Sequence, residues 1–300
     1  MTIRPIQQSQ SRAYVEPHVG EPIMRPASDF TIDELTDIYN QTRTDYIIPM
    51  PMTPARLQEY IDVYDVNLSA SCVMMEDDGR TMLGLGMLGV RADRAWITRL
   101  GVLPTTRKRG LGHIMMDHMI GEARARDMAE VWLEVIKDNE PAYKLFCKKG
   151  FVQTRELLVA RRPPSALATR PQDFLQLEAV DDFGALDLLR RRRERANWLN
   201  EIESFYNVRQ LTGLVVTLPH GSWGWAVFEP GALQLRRVLV GVERGDVVGV
   251  TTAVLQQLHA MSPMQDAIVE NLDEHDPRWP GYEAAGYFET FRRIEMVLQF

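Results

Sequence analysis

The feature that most constrains this chain is a basic, glycine-containing turn between a predicted strand and a predicted helix. Residues 107–112 read Arg-Lys-Arg-Gly-Leu-Gly, with a strand-like run over residues 96–102 before them and a helix-like run over residues 113–126 after them. A helix that starts at such a turn presents free N–H groups and the positive end of its dipole, and three cationic side chains add to that field. Gly110 and Gly112 have no side chain to hold a ligand away from the backbone. The stretch therefore predicts an anion-binding turn.

A second motif follows one predicted strand later. It has the spacing Asn139-x-x-Ala142-x-x-Leu145-Phe146-x-x-x-Gly150-Phe151. The turn and this motif, in this order and with a strand-like segment between them, resemble the acyl-CoA-binding core of the GNAT superfamily of N-acetyltransferases. The resemblance covers about fifty of the 300 residues, and the rest of the chain fits only by its order of elements.

The resemblance implies an α/β (α+β) fold in which a mixed, mostly antiparallel sheet is flanked by helices, and it implies acetyl-CoA as co-substrate. The backbone N–H of Val102 would polarise the thioester carbonyl. Gly101, near the end of the preceding strand, predicts a bulge that separates two neighbouring strands. The implied cofactor-binding residues are Leu100, Gly101, Val102, Arg107, Lys108, Arg109, Gly110, Leu111, Gly112, Asn139, Ala142 and Phe146.

Glu134 is the candidate catalytic base. Residues 132–135 together with Asn139 resemble the segment that carries the base in bacterial ribosomal-protein N-terminal acetyltransferases. A partly buried carboxylate there would have a raised pKa and could take a proton from an amine. Two alternatives stay open: Glu134 pairs with an arginine or faces solvent, or the base is an acidic residue of the first helices or the strands. Asn139 bonds the cofactor arm, caps a helix, or does both.

Phe146 is a departure from the family pattern, because many members have a tyrosine there that protonates the leaving thiolate. Three interpretations follow from a side chain that cannot donate a proton. Water or a displaced group, Tyr143 or Cys147, serves instead, and we name Tyr143 as the candidate. The thiolate leaves unprotonated, stabilised by a helix dipole. Or the site binds the cofactor and catalyses slowly or not at all.

The chain also contains a weak internal repeat. Glu134 and Pro141 are seven residues apart, as are Glu270 and Pro277, and Gly286-Tyr287 repeats the motif's closing Gly-Phe pair. Strand-like runs over residues 214–218, 224–228 and 233–240 and a helical run over 250–258 repeat the first half in order. The second half lacks the basic turn and has acidic residues there. This predicts two tandem lobes, with one cofactor site and a degenerate C-terminal repeat.

The predicted organisation is an N-terminal arm over residues 1–20, a GNAT domain with the acetyl-CoA site over 21–162, a linker over 163–171, and a degenerate GNAT-like domain over 172–300. The linker is rich in proline and small residues. Thr31 and Glu34 have capping-box spacing at the first helix. The arginine run at residues 190–195 is interpreted as a solvated helix face.

Composition narrows the function classes. A net charge of −7 argues against nucleic acid as a partner and suits a cationic substrate such as an amine. Two cysteines and no long apolar run predict a cytoplasmic protein without a membrane span. We expect a monomer or a homodimer. His113 and His118 are five residues apart, which is not the spacing of two metal ligands on one helix face, so no metal is predicted.

The leading hypothesis is an acyl-CoA-dependent N-acetyltransferase that moves an acetyl group to a primary amine of a small molecule or peptide by direct attack. The alternative is a non-catalytic acyl-CoA-binding or regulatory protein. Phosphoryl transfer is a weak third, because the turn lacks the GxxxxGK[ST] pattern.

Overall fold

The computed structural model describes residues 21–165 and 173–300. The predicted arm over residues 1–20 and most of the predicted linker lie outside these ranges. Within them, no helix has the length and apolar character needed to cross a membrane. The predicted domain boundaries stay a prediction.

Strands and helices alternate along the described chain. The strands are β1 (Ile23–Pro26), β2 (Cys72–Met75), β3 (Met82–Arg91), β4 (Arg94–Val102), β5 (Glu130–Ile136), β6 (Val152–Arg162), β7 (Gln176–Val180), β8 (Thr212–Thr217), β9 (Trp223–Glu229), β10 (Gln234–Arg244), β11 (Asp266–Asp273) and β12 (Phe288–Gln299). The α-helices are α1 (Ile32–Gln41), α2 (Pro54–Val63), α3 (Leu111–Arg124), α4 (Glu140–Lys148), α5 (Asp182–Leu189), α6 (Ile202–Tyr206), α7 (Val247–Met261) and α8 (Trp279–Ala284).

The strands form one continuous twelve-stranded sheet in the order β1-β2-β3-β4-β5-β12-β6-β11-β10-β9-β8-β7. Neighbours are antiparallel except for the pairs β4–β5 and β10–β11, which are parallel. The predicted mixed, mostly antiparallel α/β fold flanked by helices is confirmed. The structure adds that the two halves share a single sheet.

The two halves exchange their last strands. β12 lies beside β5, with Met296 opposite Leu133, and β6 lies beside β11, with Ala160 opposite Val269. β6 and β12 also pair with each other at the centre of the sheet. Among the described strands, the last strand of the first half, β6, therefore pairs only with strands of the second half. Residue spacing can indicate a strand, but it does not indicate which distant strand will be its neighbour.

Helices cover both faces of the first half of the sheet. The buried methionines of α3, Met115 and Met119, pack on one face together with Leu133, in a cluster that also contains α4. α1 and α2 pack on the opposite face with Trp96 and Trp132. The side-chain period of two therefore turns Leu133 towards α3 and Glu134 towards the α1–α2 face.

Local capping explains where these helices start. Thr31 and Glu34 form the predicted capping box at α1.

The arginine run at residues 190–195 follows α5 and does not lie on it, because α5 ends at Leu189. The interpretation of residues 190–195 as a solvated helix face is confirmed in its exposure, since five of the six residues are exposed, and is wrong in its helix. Arg192 in that run is half-buried, and removal from water lowers its pKa to about 10. Arg195 lies over the Trp132 ring at 4.2 Å.

Candidate active site

Strands β4 and β5 separate halfway along their length. They pair in parallel up to Ile97 and Leu133 and no further. At the same point β4 has a register irregularity against β3, and Arg99 takes a left-handed backbone with φ of 51°. The predicted bulge and strand separation are confirmed, with the extra residue at Arg99–Leu100 and not at Gly101.

Gly101 has a separate reason to be glycine. A Cβ at this position would lie 3.0 Å from Thr42 Oγ1, at the end of α1. The close approach places α1 over the end of β4. Leu103 N–H donates to Leu83 O on β3 at 2.8 Å. Because an antiparallel ladder alternates, the N–H of Val102 faces away from β3, into the gap that β5 leaves open.

The basic turn lies directly after this open edge. Gly110 has φ of 79°, a Cβ there would meet no atom within 4 Å, and α3 begins at Leu111. The N–H groups of Leu111 and Gly112 open the helix and have no intrahelical acceptor. Arg107 pairs with Asp45 at 2.7 Å across an exposed surface, and such pairs contribute about 0–1 kcal/mol. Arg107 can therefore exchange Asp45 for a phosphate at little cost.

The other cations of the turn are arranged differently. Arg109 pairs with Glu76 at 2.9 Å, and this pair raises the pKa of Arg109. Lys108 takes a left-handed backbone with φ of 71°. The turn thus combines left-handed residues, open N–H groups and cations, which is the arrangement that holds an anion at a helix start.

A cavity of about 570 Å³ opens where β4 and β5 separate. Both halves of the chain contribute to its wall. The predicted site residues on this wall are Leu100, Glu134, Asn139, Ala142 and Phe146. From the wall, Gly101 and Val102 continue along β4 to the turn at residues 107–112. The structure thus brings the candidate base and the implied cofactor residues to one place.

Glu134 lies half-buried on this wall. Its Oε2 accepts a hydrogen bond from Trp96 Nε1 at 2.9 Å, and its Oε1 one from Asn271 Nδ2 at 3.3 Å. Burial raises the pKa of Glu134 to about 7; Arg293 opposes this, and Glu295 adds to it. A carboxyl group with that pKa exchanges protons readily near neutral pH.

Asn139 caps α4. Its Oδ1 accepts from Ala142 N at 3.3 Å, which is the helix-cap interpretation, while its Nδ2 is 3.5 Å from the hydroxyl of Tyr46. The side chain therefore has one end in the helix and the other on the cavity. Both predicted roles are compatible with this geometry.

The structure separates the candidate acids. Phe146 is buried and lines the cavity, whereas the Tyr143 hydroxyl donates to Gln153 Oε1 at 3.3 Å outside it. Cys147 is exposed. Tyr46 lines the cavity beside Asn139 and carries a hydroxyl group that could serve as an acid. This residue was not predicted from the sequence. It lies in the irregular segment after α1, where no periodic pattern marks a residue.

The second half has the same bulge but a closed edge. β10 is irregular between Arg236 and Leu239, and Arg237 has φ of 52°. By this register Val240 occupies the position of Val102. Its carbonyl accepts from Arg278 Nη1 at 2.6 Å, and its backbone also bonds the hydroxyl of Tyr282.

The turn into α7 differs as well. It consists of Gly245 and Asp246, and the Asp246 carboxylate caps α7 by accepting from Gly249 N at 2.6 Å. The helix start is therefore satisfied by the chain's own carboxylate. An incoming phosphate would meet that negative charge.

Comparison with known proteins adds the following. Residues 32–151 match the model of the acetyltransferase (GNAT) family. A ribosomal protein bS18-alanine N-acetyltransferase of Salmonella typhimurium is 33% identical over 70 residues, 23% of this chain and 47% of that one. A streptothricin acetyltransferase of Streptomyces lavendulae is 34% identical over 85 residues, 25% of this chain and 45% of that one. The chain thus spans about half the length of the curated relatives it matches.

A likeness in fold extends much further. A tandem GNAT protein from the clavulanic acid biosynthesis pathway superposes with a TM-score of 0.62 and 17% identity, over 93% of this chain and 98% of that one. At this level of sequence identity, the likeness shows the fold alone. Residues 32–151 of the chain therefore match the GNAT acetyltransferase family, within a fold that, over nearly the whole chain, is that of a tandem GNAT protein.

Proposed function

We propose that this protein is an acyl-CoA-dependent N-acetyltransferase that acetylates a primary amine of a small molecule. The observation that carries the proposal is Glu134: a carboxyl group with a pKa of about 7 on the wall of a cavity that begins at the open edge of β4. The family match over residues 32–151 supports acetyl-CoA as the donor.

The open edge and the turn fit this co-substrate. The exposed Val102 N–H is available to a carbonyl, and the first N–H groups of α3, with Arg107 and Lys108, are available to a pyrophosphate. The bound thioester would supply the acetyl group. The protein holds it by backbone donors, so neither the strand nor the helix needs to rearrange.

Glu134 is the proposed base. An alkyl ammonium group cannot attack until it has lost a proton, and a carboxylate with a pKa near 7 can accept that proton directly or through a water molecule. The amine nitrogen then forms the N–C bond while the C–S bond breaks. Val102 N–H stabilises the charge that develops on the carbonyl oxygen.

The leaving thiolate needs a proton or a compensating field. We propose Tyr46 as the donor in place of the predicted Tyr143, because its hydroxyl lies on the cavity wall beside Asn139. The start of α4, which Asn139 caps, provides a favourable dipole at the same end of the cavity.

A small acceptor is favoured by the size of the cavity. Its volume falls within the range of roughly 300–1,000 Å³ that holds drug-sized ligands. Residues of the second half, among them Asn200, Arg237 and Phe291, complete the wall. One relative is named for a protein acceptor and the other for an antibiotic, so these names do not distinguish a protein acceptor from a small-molecule acceptor.

The test has two stages. Isothermal titration is expected to show one acetyl-CoA bound per chain, and release of free thiol from acetyl-CoA is expected to exceed the buffer rate with members of a panel of small amines. Absence of acetyl-CoA binding would overturn the proposal.

A second candidate, a non-catalytic acyl-CoA-binding protein, is favoured by Phe146, which cannot donate a proton. It predicts normal acetyl-CoA binding with thiol release at the buffer rate for every amine and for peptides. Turnover that Glu134→Gln removes would exclude it.

A further inference from the structure

The cavity wall is rich in positive charge, although the chain as a whole is negatively charged. Seven arginines and three glutamates line it, in a chain whose net charge is −7. The arginines are Arg43, Arg56, Arg99, Arg161, Arg236, Arg237 and Arg293, and the glutamates are Glu59, Glu134 and Glu270. The net charge suits a cationic group such as an amine, and the arginines of the cavity wall add a site for a negative charge.

Several of these arginines are compensated by carboxylates. Arg237 pairs with Glu229, Arg161 with Asp266 at 2.6 Å, and Arg293 lies 3.6 Å from Glu270. These cations stabilise the wall itself and leave little charge for a ligand.

Arg99 and Arg43 are not compensated in this way. Arg99 Nε is buried without a hydrogen-bond partner, and its guanidinium lies over the rings of Tyr60, at 4.1 Å, and Tyr39, at 5.5 Å. Arg43 donates only to neutral oxygens, those of Thr42, Tyr39 and Leu100. Within the described ranges, neither guanidinium has a carboxylate at ion-pair distance.

Both guanidinium groups are half-buried and lie in each other's field. Burial opposes the charge of Arg99, but Tyr60, Tyr39 and the charge of Glu270 outweigh it and raise the pKa of Arg99. Burial and the charge of Arg99 lower the pKa of Arg43, to about 10. The bulge in β4 also fixes Arg99 in a left-handed backbone, which side chains other than glycine seldom adopt. Arg99 is therefore held on the wall by the fold. A guanidinium stacked on a ring keeps its N–H edge free for the two oxygens of an anion.

We infer that the acceptor carries an anionic group, a carboxylate or a phosphate, in addition to its amine, and that Arg99 and Arg43 bind this group. The inference rests on the proposed function and names its substrate class. Glu134 and Arg99 lie on one wall and are linked by two aromatic rings. The indole of Trp96 donates to Glu134, and the Trp96 ring lies 6.1 Å from the Tyr60 ring. The Tyr60 ring in turn lies under the guanidinium of Arg99. A small zwitterion thus spans from the base to the cation.

Matched acceptors test the inference. Amino acids are compared with their carboxamides, and phosphoethanolamine with ethanolamine, by thiol release from acetyl-CoA. In the wild-type protein we expect the anionic member of the best pair to have at least about 10-fold higher kcat/KM. Equal or better turnover of the neutral members would overturn the inference while leaving the proposed function intact.

Variants locate the anion site. Arg99→Asn removes the charge and tolerates the left-handed backbone, and Arg99→Lys keeps the charge. We expect Arg99→Asn to raise KM for the anionic acceptor about 10-fold or more, to leave the neutral one within about 2-fold, and Arg99→Lys to recover part of the loss. Arg209→Gln, which removes an exposed arginine outside the cavity wall, is the control and should change KM by less than about 2-fold.

The cofactor's own phosphates are the competing source of an anion. If Arg99→Asn raises KM for acetyl-CoA and spares the acceptor, Arg99 serves the cofactor and the inference is wrong. A binding measurement removes the dependence on turnover: titration with N-acetyl-amino acids should give at least about 10-fold tighter binding than with their amides. Equal or absent binding in both series overturns the inference, even if Arg99→Asn fails to fold.

Discussion

The two halves of this protein share a bulged strand and differ in what surrounds it. In the first half, Val102 turns an unbonded N–H into a gap, and a basic turn follows. In the second half, Arg278 and Tyr282 occupy the backbone of Val240, and Asp246 caps the next helix. The second half thus has the same bulged backbone and fills the space beside it with its own side chains, so the bulge alone does not leave a strand edge open to a ligand.

This contrast supports the proposal of a degenerate C-terminal repeat with one cofactor site. The second half keeps a different task, since it supplies part of the wall of the single cavity.

The largest effect is expected at the two glutamates that the repeat relates. Glu134→Gln should lower kcat/KM by about 100- to 10,000-fold, because it removes the proposed base, and should abolish the loss of activity as pH falls below about 7. Steady-state rates between pH 5.5 and 9 measure both. Glu270→Gln is the matched change and should cost far less. Equal losses of kcat/KM in the two variants would mean that Glu134 is not the catalytic base.

The next largest effect is expected at the two helix starts. Gly112→Asp places a carboxylate in the first turn of α3, where it favours the helix but repels a pyrophosphate. Isothermal titration should show acetyl-CoA binding weakened by about 100-fold or more, with an unchanged melting temperature. The control is Val248→Asp, at the same position of α7 on an exposed site, which should leave binding unaltered. Weakened binding in both variants would point to a site in each half.

A smaller effect is expected for the proton donor. Tyr46→Phe should lower kcat about 10-fold with little change in acetyl-CoA affinity, since only the proposed acid is lost. Adding Phe146→Tyr should recover activity, because the tyrosine at the matching position of the second half, Tyr282, reaches the strand backbone. Stopped-flow or steady-state thiol release measures both variants. A normal rate for Tyr46→Phe would assign protonation to water.

The smallest effect is expected on stability. The folded-state pKa of Glu134 is raised to about 7 from 4.5, so folding favours its protonated form. Stability is then complete below the unfolded pKa and declines as pH rises towards 7, by at most about 3 kcal/mol. Glu134→Gln should therefore melt a few degrees higher than the wild type at pH 8 and at the same temperature near pH 4.5. Equal melting temperatures at pH 8 would place the carboxylate in a polar, open environment.

The sequence predicted those parts of the site that depend on local chemistry. The turn at residues 107–112 and the cap by Asn139 follow from short-range spacing, and the strand that carries Glu134 follows from its apolar run. The repeat was visible in the distance from Glu134 to Pro141 and from Glu270 to Pro277. These features need only the residues that form them.

The parts that could not be predicted depend on contacts between distant segments. Arg99 looks like an ordinary strand residue until the bulge turns it into the cavity, and Tyr46 lies in a segment without periodicity. The position of β12 beside β5 joins residues more than 150 positions apart, for example Glu130 and Gln299. No local pattern in either strand specifies its neighbour.

The exchange of β6 and β12 has a consequence for synthesis of the chain. β5 acquires its second neighbour only when β12 has been made, about 150 residues later. At roughly 5–20 residues per second, the nascent first half waits for about 8 to 30 seconds with an unpaired strand edge. Such an edge is a template for pairing with other chains. The order of translation therefore makes chaperone protection during biogenesis a greater need for this molecule than for one whose halves close independently.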